Sequence, residues 1–328
     1  MNRIIARAKS GLLAILLLTS AAAAQTGVPQ PDFTLDVHIE PTSHRLEVEA
    51  NIDLPNVYAG RTLEFLLTDA VDFVEAEPAV ERLPYDGSQG FTGINGSSVD
   101  LTDSGHAARY RVILPPGGTE LRFRYRGTVN FALGDLKEQY TRGFRSTAGI
   151  IGDEGIYLAG SSLWYPYFGD NLISFRLTSN VPGGWHVISQ GNGTSRDDDG
   201  NARWDSGGAV DEIYLVGGPL KRYVEPAGAV AAEAYLHERD DALAGRYLTA
   251  TAQYLEMYRN LIGPYPYSKF ALVENFWETG YGMPSFTLLG PQIIRFPFIL
   301  TSSYPHEILH NWWGNSVFVD YDSGNWCE

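Results

Sequence analysis

The chain has 328 residues, enough for two domains with substantial cores. Its 24 Lys+Arg against 39 Asp+Glu give a net charge of −15 without any basic run, which argues against nucleic acid or an anionic membrane surface as a partner. The single cysteine, Cys327, cannot form an internal bridge, so stability has to come from packed apolar residues.

The first segment reads as a signal peptide, residues 1–24. "MNRIIARAK" supplies Arg3, Arg7 and Lys9, and "GLLAILLLTSAAAA" is an apolar run ending in small residues. That run is shorter than the ~20 residues a spanning helix needs, and no later segment is long and apolar enough. The expectation is an exported protein, periplasmic or secreted, with no integral membrane segment after cleavage.

From residue 25 to 225 the pattern predicts an antiparallel β-sandwich. "FTLDVHIEP", "RLEVEANIDLP", "TLEFLLTD", "ARYRVILPP" and "LRFRYRGTVNF" alternate apolar and polar residues between Gly, Pro, Asn and Asp punctuation. "GIYLAG", "LISFRLTSNVP", "WHVISQGNG", "ARWDSG" and "IYLVGGPLKRYVE" continue the series. "SRDDDGN" (195–201) lacks the spaced acidic ligands of a calcium loop and reads as a solvated hairpin turn. Near residue 228 the character becomes helical. Leu243, Tyr247, Tyr254, Met257, Tyr258 and Leu261 recur at helical spacing, Asp240 or Asp241 can cap the start, and Gly263-Pro264 supplies a stop. The expected class is α+β, with a second domain over 226–328.

The chemistry sits near the end. His306-Glu307-Ile308-Leu309-His310 places two histidines four apart, hence on one face of a helix, where both can ligate one Zn²⁺. Glu307, one position past the first histidine, can face the attacking water as general base. Thr301, Ser302 and Ser303 offer N-caps, Pro305 suits a first turn and Gly314 a stop. A third ligand must come from elsewhere; Asp320, Asp322 and Glu328 are the downstream carboxylates. Glu328 falls in the first turn of an expected second helix, and the two aspartates fall in the connecting turn.

These residues resemble the aminopeptidase N family of zinc metallopeptidases: His-Glu-x-x-His, then Trp312 and Gly314, then Glu328. Residues 311 to 327 separate His310 from Glu328, one fewer than is usual in that family. The resemblance extends to "GPYPYSKFALVENFWETGYGMPSFTLLG" (263–290), at the place of the family's Gly-x-Met-Glu-Asn edge strand. It implies a large N-terminal β domain followed by a thermolysin-like α/β catalytic domain, cut off here after the third ligand. It also implies one Zn²⁺ held by His306, His310 and Glu328, a peptide substrate, and substrate-aligning residues Tyr281, Gly282, Met283, Pro284 and Ser285. Pro284 stands where the family's glutamate binds the substrate α-amine, so exopeptidase specificity loses its usual anchor. Glu274 and Glu278 are the nearby carboxylates that could replace it. The family's oxyanion-stabilising tyrosine lies beyond the third ligand, and no tyrosine of this chain inherits its role. Two other readings stand beside the peptidase: a non-catalytic β-sandwich binding protein with a vestigial metal site, and a zinc hydrolase acting on a non-peptide substrate.

Overall fold

A computed structural model describes residues 30–85, 90–96, 98–99, 106–135 and 145–317. The expected signal segment 1–24 and Asp320, Asp322, Cys327 and Glu328 lie outside the described residues. Within them the protein is mostly β-sheet with two α-helices.

Alternation builds the largest sheet. In Asp32–Glu40, Phe33, Leu35, Val37 and Ile39 point inward while the residues between them are exposed. This strand pairs antiparallel with Arg45–Asp53 and, unexpectedly for a region read as antiparallel, parallel with Ser174–Asn180. Seven strands result, in the order 192–194, 201–205, 174–180, 32–40, 45–53, 120–128 and 71–77. A three-stranded sheet (62–68, 107–113, 80–83) packs on it through aromatic rings. Phe65 stacks on Phe123 at 5.5 Å, and Phe73 meets Tyr110 edge-on at 5.0 Å. Burying a ring such as Phe65 stabilises by about 1.5–3 kcal/mol. A four-stranded sheet (150–152, 155–158, 215–218, 186–188) extends the same core. The "SRDDDGN" segment is a turn between paired strands, as its composition implied, with the Asp197 carboxylate accepting from the backbone N–H groups of Asp199 and Asn201.

A five-stranded sheet follows, in the order 221–227, 230–236, 269–274, 286–289 and 280–283. The boundary placed at 225 falls inside its first strand, Lys221–Ala227, whose ladder to Val230–Leu236 begins at Lys221. Val230–Leu236 falls in the stretch from about 228 whose scarcity of β-branched residues points to a helix. It is a strand because Ala232 and Ala234 form the close-packed surface on which helix α1 (Asp241–Leu261) lies, while Tyr235 points to the opposite face. The strand Lys269–Glu274 is buried at every residue, the mark of a strand covered on both faces.

Asp240 caps α1 as expected, accepting from the Leu243 N–H at 2.8 Å. The buried stripe of α1 is Leu243, Ala244, Tyr247, Leu248, Thr251 and Leu255. Met257 and Leu261, expected on that stripe, are 40% and 74% exposed: Met257 falls outside it in angle, whereas Leu261 has the angular position of Leu243 but is the last residue of the helix.

Candidate active site

The second helix, α2 (Ser303–Leu309), carries the His-Glu-x-x-His motif. Pro305 is in its first turn, where a missing N–H costs nothing. Ser302 precedes the helix without capping it; its hydroxyl bonds the Phe298 carbonyl at 2.8 Å instead. Tyr304 and Ile308, four apart, are fully buried. Burying that face turns His306 and His310, each two residues past one of the pair, outward. Helix α1 anchors the approach: Tyr247 donates to the Ile294 carbonyl at 2.9 Å, Tyr254 to Leu300 at 2.8 Å and Tyr258 to Pro305 at 3.0 Å. The regular helix stops at Leu309, the chain tightens, and Gly314 (φ 95°) turns it away, allowing the Asn315 N–H to reach the His310 carbonyl at 3.0 Å.

The two imidazoles converge. His306 Nε2 and His310 Nε2 lie 3.0 Å apart, close to the about 3.3 Å expected of two nitrogens sharing a tetrahedral zinc at about 2.0–2.1 Å. His310 Nδ1 donates to the Trp313 carbonyl at 3.2 Å, which directs the Nε2 lone pair toward the shared position. The donor set and its second-sphere bond fit a zinc ion held by His306 and His310. Among the described residues no group of three or more His, Cys, Asp or Glu side chains could hold a metal, and the expected third ligand, Glu328, lies outside them.

Glu307 points from the same helix toward the edge of the five-stranded sheet. A Cβ at Gly282 would come 2.1 Å from Glu307 Oε2 and 3.5 Å from His310 Cδ2, so glycine is what allows the strand to lie against the carboxylate. Burial pushes the Glu307 carboxyl above its ordinary range, and the neighbouring His310 and His306 partly offset it.

Among the described residues the strand Gly280–Met283 is the sheet edge, paired only with Phe286–Leu289. Pro284 and Ser285 form the two-residue turn between them, with Ser285 at φ 66°, the pattern of a type II turn. The closing pair Met283–Phe286 and Tyr281–Leu288 use their backbone groups across the hairpin. The N–H and C=O of Gly280 and Gly282 therefore face the open side.

Of the five residues expected to align substrate, Tyr281 and Gly282 are half-buried beside the motif, whereas Met283, Pro284 and Ser285 are buried. Ser285 corrects the expectation most clearly: its hydroxyl, N–H and carbonyl are all engaged inside the protein. The candidate substitutes for the amine-binding glutamate are also engaged. Glu274 is 3% exposed and bonded to Arg295 at 2.6 Å and to the His237 N–H at 2.8 Å. Glu278 is engaged through Oε1 alone, which accepts from the Gln292 N–H at 2.9 Å, while its buried Oε2 has no hydrogen-bond partner among the described residues.

Two residues of this region escaped the sequence reading. Lys269 is fully buried with its ammonium 4.7 Å from the Trp204 ring, and Asn311 is fully buried immediately after the motif. Lys269 carries no local signal; Asn311 could have been noticed only through its place four residues after Glu307.

No protein-family model and no curated protein sequence matches the chain. Solved structures do. The M1 zinc metallopeptidase of Deinococcus radiodurans matches with a TM-score of 0.56 and 17% identity, over 88% of this chain and 65% of that one. A form bound to a Tyr-Ser-Ala substrate matches at 0.57 and 18%, with the same coverage. Yeast LTA4 hydrolase matches at 0.58 and 16%, over 88% of this chain and 44% of its own. The chain thus shares the fold of these hydrolases and spans less than two thirds of their length.

Proposed function

We propose that the protein is an exported zinc metallopeptidase of the aminopeptidase type. The observation that carries this reading is the convergence of two Nε2 atoms 3.0 Å apart beside a half-buried carboxylate lying against an edge strand. His306 and His310 would hold the ion, with Glu328 proposed as third ligand. When bound, zinc would polarise the scissile carbonyl and acidify water at that point.

The chain's own residues do the rest. Glu307, made more basic by burial, takes a proton from the attacking water and can return it to the departing amine. The outward N–H and C=O of Gly282 and Gly280 pair with an extended substrate backbone, adding it as a strand to the sheet. The Tyr281 ring, 6.4 Å from Tyr157, forms a side wall for the bound residues. Because Pro284 and Ser285 are turned inward, neither binds a substrate ammonium. The chemistry therefore asks for an extended peptide more strongly than for a free N-terminus.

The test is zinc content by mass spectrometry together with hydrolysis of amino-acid anilides and of free and N-blocked peptides. One zinc per chain with cleavage of at least one of these substrate types is expected. A zinc-loaded chain that cleaves none of them would reject the peptidase reading.

A further inference from the structure

The amide of Asn311 is a four-way junction. Its Oδ1 accepts from the Ser285 N–H at 2.6 Å and faces the Tyr265 hydroxyl at 3.2 Å. Its Nδ2 donates to the carbonyls of Ile308 at 3.0 Å and Glu307 at 3.2 Å. The side chain is fully buried, and flipping the amide would set Nδ2 against the Ser285 N–H and Oδ1 against two carbonyls, so no other orientation satisfies its surroundings.

The far side of the junction is equally fixed. Ser285, at the corner of the edge hairpin, accepts on its hydroxyl from Lys269 Nζ at 2.7 Å and from the Gly191 N–H at 3.0 Å. Its carbonyl accepts from the Ala271 N–H at 3.0 Å. The hairpin is therefore held to the sheet from below, and Asn311 ties that held corner to the end of α2.

Glu307 and Asn311 are four apart and project from the same side of the motif turn. One rests against the hairpin at Gly282 and the other grips it at Ser285. With Asn311 engaged, α2 cannot slide or rotate relative to the edge hairpin without breaking the buried Ser285–Asn311 hydrogen bond.

We infer that Asn311 is a positioning residue: its amide fixes the placement of Glu307 relative to the backbone of the edge strand. This rests on the peptidase reading for its catalytic consequence, though the mechanical link does not depend on it. Asn311→Leu keeps a side chain of similar size, replaces the amide by an apolar group and so removes the junction. Val48→Ala, a deletion in the seven-stranded sheet, serves as a control for general loss of stability.

Hydrogen–deuterium exchange on the zinc-free chain reads the link directly. Asn311→Leu is expected to raise exchange at least tenfold in residues 280–287 and 303–310 together, with 230–236 unchanged. Wild-type protection in either segment overturns the inference. In the zinc-loaded chain, a displacement of about 1 Å should lower kcat roughly a hundredfold, a larger effect than any rise in KM, because the substitution removes no backbone group that pairs with peptide. Val48→Ala should leave both constants within twofold. Equal losses in kcat for both variants, or a loss confined to KM, would reduce Asn311 to a structural role and also overturn it. A wild-type chain without turnover would fail the peptidase reading alone, leaving the exchange result to decide here.

Discussion

The close approach of Gly282 to Glu307 makes Gly282→Ala an unusually selective perturbation. The new Cβ would sit 2.1 Å from Glu307 Oε2 and 3.3 Å from its carboxyl carbon. Comfortable separation is about 3.5 Å, so the carboxylate must retreat by more than about 1 Å. The displaced atom is the free end of a flexible side chain, which can rotate aside, and a strand position ordinarily accepts alanine. Replacing glycine even contributes about 0.5–1 kcal/mol through reduced chain entropy. Folding stability should therefore stay level or rise slightly. Turnover should not, because misplacing a reacting group by about 1 Å costs on the order of a hundredfold, equivalent to about 2.7 kcal/mol of barrier. The assay is kcat/KM on an anilide or short peptide, with zinc content and the thermal midpoint measured on the same preparation. Turnover within threefold of wild type at full zinc occupancy would refute the placement of Glu307 against the strand.

Glu307→Gln should retain zinc and lose about 10²–10⁴ in turnover as the proton acceptor disappears; retained turnover would reject it as the base. Burial lowers the Lys269 ammonium to about 7, so between that value and its ordinary pKa the unfolded chain binds more protons and stability rises with pH. Below pH 7 both states are protonated and the full destabilising contribution of the buried charge is present. From pH 7 to 9 its contribution should grow by about 2 kcal/mol, and urea unfolding of Lys269→Met should lack that gain. On α1, Leu255→Ala should cost about 2–5 kcal/mol, whereas Leu261→Glu should stay within about 0.5 kcal/mol in the same unfolding measurement.

Much of the β architecture could be read from period-two alternation, since strands such as Asp32–Glu40 are buried on one side only. The histidine pair could be read because helical spacing alone puts both rings on one face. Pairing partners could not: alternation says which side of a strand is inside but not that Asp32–Glu40 lies parallel to Ser174–Asn180. Val230–Leu236 has few of the β-branched residues that mark strands, and its alanines are selected by the proximity of α1. The segment around Pro284 misled differently. The family resemblance implies a substrate-facing Ser285, while its positive φ and three-sided hydrogen bonding make it part of the interior. Buried polar groups such as Lys269 and Asn311 leave no periodic trace, because their partners are remote in the chain.

The five-stranded sheet belongs to two interiors at once. Tyr235, Val273, Met283 and Phe286 complete the core of the preceding strands, while Phe270, Leu272 and Leu289 complete the one beneath the helices. Cutting the chain near residue 225 would strip one side of that wall and leave a greasy plane facing water. Any engineered transplant of the histidine motif must carry its β-rich neighbour with it.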